Sequence, residues 1–284
     1  MKIISSVAEM QQWSVLEQKS GNTIGFVPTM GALHLGHAEL FRRSVAENQR
    51  TVVSIFVNSL QFNNASDLEA YPRQLEKDLV MAEQQGVDVL FIPSHEEMYP
   101  VGFSSNILVG AIAGNMEGLH RPGHFDGVAT VVVKLLNTVT PNVAYFGIKD
   151  FQQVAIIRQV VRDLNISCEI VSVPTVRDEN GLALSSRNAR LTPDQLAQAP
   201  QIYVLLAEIA AQCRTHEISS TAVKSRFTTE LHALTSATVE YVEVVTSDTL
   251  QPMLTAKNGT TICVAVWLGD VRLIDNVSIG SVLA

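Results

Sequence analysis

Residues 23–48 read TIGFVPTMGALHLGHAELFRRSVAEN, and this stretch decides the fold. Thr23–Pro28 is a short run rich in apolar and β-branched residues and reads as a buried strand. Gly36–Asn48 follows as a helix, with a glycine-bearing turn between the two. A strand that leaves through such a turn into a helix opens a βαβ unit, and the alternation continues outward from it. Thr51–Asn58 (TVVSIFVN) is a second strand, with Tyr71–Gln85 a helix after it, and Val87–Pro93 is a third strand. Phe125–Thr140 places Val128, Val131, Leu135 and Val139 at helical spacing. Val143–Gly147 reads as a strand, Gln152–Leu164 carries Val154, Ile157, Val161 and Leu164 on one helical face, and Cys168–Pro174 is a strand again. Short apolar strands alternating with helices predict an α/β fold with a doubly wound parallel sheet covered on both faces.

The rhythm changes after Pro174. Thr192-Pro193-Asp194-Gln195 has threonine at the N-cap, proline at the first helical position and glutamine at the third, which is a capping box. Helix is expected from there to about His216 and again over Thr221–Leu234. Val239–Thr246 and Thr260–Leu268 then read as antiparallel strands. This α+β pattern sets a smaller C-terminal domain over residues 177–284, after a first domain over 1–176, with Pro174–Asn188 as the hinge.

With 284 residues, 46% of them hydrophobic and 17% charged, the chain has length and apolar content for two cores. The net charge, 20 − 28 = −8, lacks the basic excess needed to neutralise the phosphates of a polynucleotide, so no nucleic-acid partner is expected. Cys168, Cys213 and Cys263 form no CxxC pair, which fits a reducing compartment. The N-terminus turns acidic at Glu9, too soon for a signal-peptide core. The apolar stretch from Val128 to Val139 is interrupted by Lys134, so no membrane span is expected. A soluble, cytoplasmic protein follows.

Unusual polar residues collect where strands end, which is where a doubly wound sheet binds its ligands. After the first strand come Met30, Gly31, Ala32, Leu33, His34, Leu35, Gly36 and His37. Glycines admit a phosphate close to the backbone, and the free N–H groups of a helix start favour an anion. His34 and His37 share a helical face and can aim two imidazoles at one point, or can simply satisfy backbone groups at the helix start. A P-loop is rejected because His37-Ala38 stands where Lys-Ser/Thr is required, and zinc lacks a third ligand at suitable spacing. Asn58 and Gln61 follow the second strand, as amides able to bind hydroxyls or a carboxylate, or to cap a turn. Gly147, Ile148, Lys149 and Asp150 follow a later strand, and Val176 and Leu184-Ser185-Ser186-Arg187 follow the last. Lys149 and Arg187 could remain solvated; together with the serines they could clamp a polyphosphate. Arg121, in His120-Arg121-Pro122-Gly123-His124, could bind an anion or brace a loop.

His34-Leu35-Gly36-His37 resembles the HxGH motif of the nucleotidyltransferase superfamily, and Leu184–Asn188 its mobile second motif in serine-rich form. PTMGALHLGH (28–37), SIFVNSLQF (54–62), YPR (71–73), MEGLHRPGHFDGVATVVVKL (116–135), YFGIKDFQQ (145–153), GLALSSRN (181–188) and WLGDVRLIDN (267–276) together resemble the pantoate–β-alanine ligase family. That resemblance implies a Rossmann-like first domain, a small closing C-terminal domain, a homodimer, and a two-step reaction with ATP and Mg2+. Pantoate attacks the α-phosphorus to give pantoyl-adenylate and pyrophosphate; β-alanine then displaces AMP to give pantothenate. Carried over by position, Met30 to His37, Gly147 to Asp150, Val176 and Leu184 to Arg187 lie along ATP. His34, Lys149, Ser185, Ser186 and Arg187 stabilise charge, and His37 is the proton donor. Gln61 and Gln153 hold pantoate, Gln61 and Asn58 receive β-alanine, and Asp78 is a candidate for magnesium.

Three positions depart from the pattern. Ser59 stands where the family usually has proline, which is expected to loosen the Asn58–Gln61 turn; Ile148 stands where glutamate is frequent. Lys77 occupies a commonly acidic place, which weakens a metal role for Asp78. Two rivals share the HxGH cluster: an adenylyltransferase acting on a phosphate, which has no need of FVNSLQF, and an ATP sensor without turnover.

Overall fold

Strands too short and apolar to alternate with solvent must be covered on both faces, and the N-terminal half builds its sheet accordingly. The computed structural model describes residues 1–64 and 68–280. Strands β1 (Lys2–Ile4), β2 (Ile24–Thr29), β3 (Arg50–Ile55), β4 (Val89–Phe91), β5 (Val143–Gly147) and β6 (Glu169–Val173) form one sheet in the order β1-β4-β3-β2-β5-β6. Every pairing in it is parallel. From β2 the chain builds outward through β3 and β4, then crosses to the opposite side with β5, so the strand order switches between β2 and β5. The turn that follows β2 therefore lies at the place where open α/β sheets form their ligand crevice.

The helices that come between these strands are α1 (Val7–Lys19), α2 (Leu35–Glu47), α3 (Leu75–Gln84), α4 (His124–Val139) and α5 (Phe151–Asp163), with short turns of helix at His95–Met98 and Met116–His120. Phe41 and Leu40 of α2 pack with Val27, Val53, Leu90 and Tyr145 in one core. Burial of each such large side chain contributes about 1.5–3 kcal/mol. Twelve residues of α4 are buried, which explains why its sequence is apolar nearly all round.

The chain divides into two compact units. One is Met1–Gly147 with Ile156–Val173; the other is Ile148–Ala155 with the chain from Pro174 onward. In the second unit, helices α6 (Pro193–Gln198), α7 (Gln201–Cys213) and α8 (Ser220–Leu234) accompany strands β7 (Ile218–Ser219), β8 (Thr238–Thr246), β9 (Thr255–Ala256), β10 (Thr260–Leu268) and β11 (Val271–Ile279). The antiparallel order is β11-β10-β8, with β7 and β9 as a separate pair. Leu206, Ile209, Phe227, Leu231, Ile262 and Val264 are fully buried between helices and sheet.

The capping box forms as the sequence predicts: Gln195 N–H donates to Thr192 Oγ1 at 3.3 Å and Thr192 N–H to Gln195 Oε1 at 2.9 Å. The helical stretch expected up to about His216 comes as two helices, because Pro200 breaks it after Gln198 and α7 starts anew. The expected strand Thr51–Asn58 ends at Ile55, and the helix expected from Tyr71 is regular only from Leu75. Pro174–Asn188, expected as a hinge, contains a tight hairpin. Asp178 N–H donates to Leu182 O and Leu184 N–H to Val176 O, both at 2.9 Å. No helix among the described residues is long and apolar enough to cross a membrane.

Candidate active site

The turn after β2 is held open by a carboxylate beneath it. Gly31 (φ 81°) and Ala32 (φ 52°) are both left-handed, a conformation that costs a residue with a Cβ about 1–2 kcal/mol. Asp78, on α3 and 2% exposed, offsets that cost. Its Oδ2 accepts from Ala32 N–H at 2.9 Å and its Oδ1 from Leu33 N–H at 2.8 Å. A Cβ on Gly31 would sit 3.0 Å from Asp78 Oδ2, so glycine is needed for the approach. Thr29 closes the other end, donating from Oγ1 to Ser54 O at 2.7 Å and accepting from Gly31 N–H.

His34 and His37 satisfy backbone groups, as one reading of the sequence expects, and the way they do so fixes their protons. Gly36 N–H donates to His34 Nδ1 at 3.1 Å, and His34 N–H donates to His37 Nδ1 at 3.3 Å. An Nδ1 that faces an N–H must accept, so in each neutral ring the proton sits on Nε2. The ring centroids are 4.1 Å apart. Burial, with His34 beside it as a second cause, pushes the His37 imidazole down to about 3. In the free protein His37 is therefore a neutral ring with one Nε2–H to offer, and an imidazolium is not its resting form at neutral pH.

Asn58 and Gln61 join this cluster. Asn58 caps a single 3-10 turn, Ser59–Gln61, by accepting from Leu60 N–H, so the turn closes with Ser59 in the place of proline. Gln61 Nε2 donates to Met30 Sδ at 3.1 Å, which links the two strand-end clusters. Three further residues support this turn, of which the sequence singles out only Arg121. Gly127 on α4 lets the helix touch it, since a Cβ there would lie 2.3 Å from Leu60 O. His124 Nδ1 donates to Gln61 O at 2.8 Å; the acceptor is a carbonyl, so the proton is on the nitrogen. Arg121 NH2 also donates to Gln61 O at 3.4 Å, which makes Arg121 a brace for the loop. Gly127 and His124 lie inside a motif quoted above for resemblance, but nothing in their spacing announces which backbone they meet.

Gly147 ends β5 in the first unit, and the second unit holds the other candidates. Lys149 lies in a 3-10 turn, Ile148–Asp150, whose backbone is pinned by Asn276 of β11: Nδ2 donates to Ile148 O and to Lys149 O, each at 3.0 Å. Asp275 next to it takes a bidentate pair from Arg177, at 2.6 and 2.8 Å, while Arg177 stacks 3.5 Å above the Tyr203 ring. Ser185 caps the 3-10 helix Ser186–Arg190 by accepting from Arg187 N–H at 3.2 Å. A cleft in this unit is lined by Lys149, Ser185, Asn188, Tyr203 and Asp275. Val176 is brought beside Leu184 by the hairpin, and Gln153 is half-buried on α5. Among the described residues no group of three or more His, Cys, Asp or Glu side chains is placed to hold a metal ion.

A family model described as pantoate-beta-alanine ligase matches residues 2–278. The chain belongs to this family. It is 46% identical to the pantothenate synthetase of Geobacillus kaustophilus over 279 residues, which covers 98% of this chain and 93% of that protein. The pantothenate synthetase of Aquifex aeolicus is also 46% identical, with 96% and 97% covered. Among solved structures, pantothenate synthetase from Thermus thermophilus superposes with a TM-score of 0.90 at 41% identity, covering 99% of this chain and all of that one. The pantoate-beta-alanine ligase of Francisella tularensis, solved in complex with beta-gamma ATP and β-alanine, gives 0.81 at 38% identity, with 98% and 97% covered. The family's parallel sheet and smaller antiparallel domain are those found here, and the chain is a ligase of this family.

Proposed function

We infer that this ligase joins pantoate to β-alanine through a pantoyl-adenylate, with ATP as substrate and AMP and pyrophosphate as products. The observation that carries the reading is the HxGH turn at the strand-order switch, whose two imidazoles turn Nδ1 to the backbone and so carry their protons on Nε2. A carboxylate is a poor electrophile, and a mixed anhydride with AMP gives it a good leaving group. The protein's task is to stabilise charge on the five-coordinate α-phosphate and on the departing pyrophosphate, where fixed N–H donors are most effective.

In this reading Met30 to His37, Gly147 to Asp150, Val176 and Leu184 to Arg187 receive ATP. His34 and His37 donate from Nε2, and Lys149, Ser185, Ser186 and Arg187 act on the phosphates. His37 can carry a proton only once the phosphate anion beside it favours the charged ring; before that it is a hydrogen-bond donor. Gln61 and Gln153 hold pantoate, and Gln61, oriented by the buried Asn58, receives β-alanine. Asp78 is assigned to the turn and not to magnesium, because each of its oxygens already accepts a backbone N–H. Mg2+ is expected to arrive on the ATP phosphates with its own waters, since it dehydrates reluctantly and demands octahedral geometry. Residues 1–176 form the ATP- and pantoate-binding domain and 177–284 the closing domain of a cytoplasmic homodimer. Pantoate-dependent release of pyrophosphate from ATP tests the reading, and its absence with all substrates present would reject it.

A further inference from the structure

Tyr99 lies outside every motif that carries the resemblance, yet it sits at the start of the hydrogen-bond chain that ends on Gln61. Its hydroxyl is 2.7 Å from Asn58 Oδ1, and both residues are buried. The orientation of the Asn58 amide is settled by partners of fixed character. Nδ2 lies 3.1 Å from Gly127 O, which only accepts, and Oδ1 lies 3.4 Å from Leu60 N–H, which only donates. The tyrosine hydroxyl must therefore be the donor to Oδ1. The second hydrogen on Asn58 Nδ2 goes to Gln61 Oε1 at 3.1 Å. That occupies the carbonyl end of Gln61 and leaves the Nε2 end, now against Met30 Sδ, as the end that can meet a substrate.

The tyrosine ring is well fixed for this task. Phe56, His95 and Phe103 have ring centroids 5.9, 5.2 and 5.0 Å from it, and Lys134 of α4 stands 5.7 Å over its face. Burial also raises the phenol above its ordinary range, so the hydroxyl keeps its proton through mildly alkaline conditions.

We propose that Tyr99 is a positioning residue for the acid substrate: by donating to Asn58 Oδ1 it completes the set of hydrogen bonds that holds the Asn58–Gln61 amide pair in place, with Gln61 presenting N–H donors to an oxygen acceptor of pantoate. The proposal rests on the ligase reading. Asn58 Nδ2 can only donate to Gln61, so the orientation of Gln61 that this pairing holds is the one that offers donors to a hydroxyl or carboxylate oxygen, and Tyr99 steadies Asn58 in that place.

Steady-state kinetics of Tyr99→Phe test it, beside the wild type and in an Asn58→Ala background. The expected result is a KM for pantoate raised about tenfold, the size of one lost orienting hydrogen bond, with the KM for ATP within about twofold. In the Asn58→Ala background the same change adds nothing, because Tyr99 acts only through Asn58. Equal effects on both substrates, or independent effects in the double variant, would overturn the proposal. Gln61→Glu supplies a test that leaves Tyr99 intact. A carboxylate in place of the donor end is expected to weaken pantoate by about 100-fold or more, and unchanged pantoate affinity would overturn the donor assignment. A wild type that releases no pantoate-dependent pyrophosphate would sink the ligase reading and this proposal with it; an active wild type with an unaltered Tyr99→Phe variant would sink this proposal alone.

Discussion

Replacing Asp78 separates a turn-holding role from a metal-binding one. In Asp78→Asn one backbone N–H keeps its acceptor and the other faces an amide N–H. The orphaned donor belongs to Ala32 or Leu33, each 5% exposed, so water cannot replace the lost partner. Leaving a buried donor unsatisfied costs about 1–3 kcal/mol. Ala32 is also left-handed at φ 52°, so the released turn can relieve its own strain by moving His34 and His37 away from their present places. A loss near 2 kcal/mol corresponds to a melting temperature about 4–8 °C lower for a domain of this size. Adenylation is expected to fall at least about tenfold, because a displacement on the order of 1 Å in positioning groups can cost about 100-fold. Thermal unfolding and a coupled pyrophosphate assay across a magnesium titration measure both effects. An unchanged melting temperature, with activity restored by raised magnesium, would refute this reasoning and return Asp78 to the metal.

Further outcomes follow from the same geometry. His37→Ala and Lys149→Ala are each expected to depress pantoate-dependent pyrophosphate release by about 100-fold or more with the fold intact; near-normal release by either variant would remove that residue from the phosphate site. Asn276→Ala frees the Ile148 and Lys149 carbonyls, and a KM for ATP raised about tenfold is expected, against no change if the turn is held without it. His37 supplies a pH test. Its folded value, about 3, lies below the ordinary value of 6.5, so the unfolded chain binds more protons between the two. Stability must then rise with pH up to about 6.5 and level off above it, with a slope from this residue of at most about 1.4 kcal/mol per pH unit. Urea unfolding at pH 7, 6 and 5 should show a shallower slope for His37→Gln than for the wild type, and identical slopes would contradict the buried neutral ring.

What the sequence discloses and what it hides divide along physical lines. The strand–turn–helix of residues 23–48 is legible because an apolar run, two glycines and a helical spacing each report on their own segment. Lys2–Ile4 forms a strand and Val7–Lys19 a helix that no such signal marks: the strand is three residues long, and the helix buries only Met10 and Ser14. The HxGH residues and the strand-end amides can be picked out by type and place. Their supports cannot, because Asp78, Tyr99, His124, Gly127 and Asn276 act on backbone or amide groups far away in the chain. The proton on His37 is also beyond reach, since it depends on an N–H three residues back and on the burial of the ring.

The most direct test of the account is the release of pyrophosphate and AMP from ATP with pantoate and β-alanine supplied separately and together. Pyrophosphate that depends on pantoate alone, with sustained AMP formation only when β-alanine joins it, is the predicted result. ATP binding with no release under any combination would contradict the account and leave a nucleotide-sensing protein in its place.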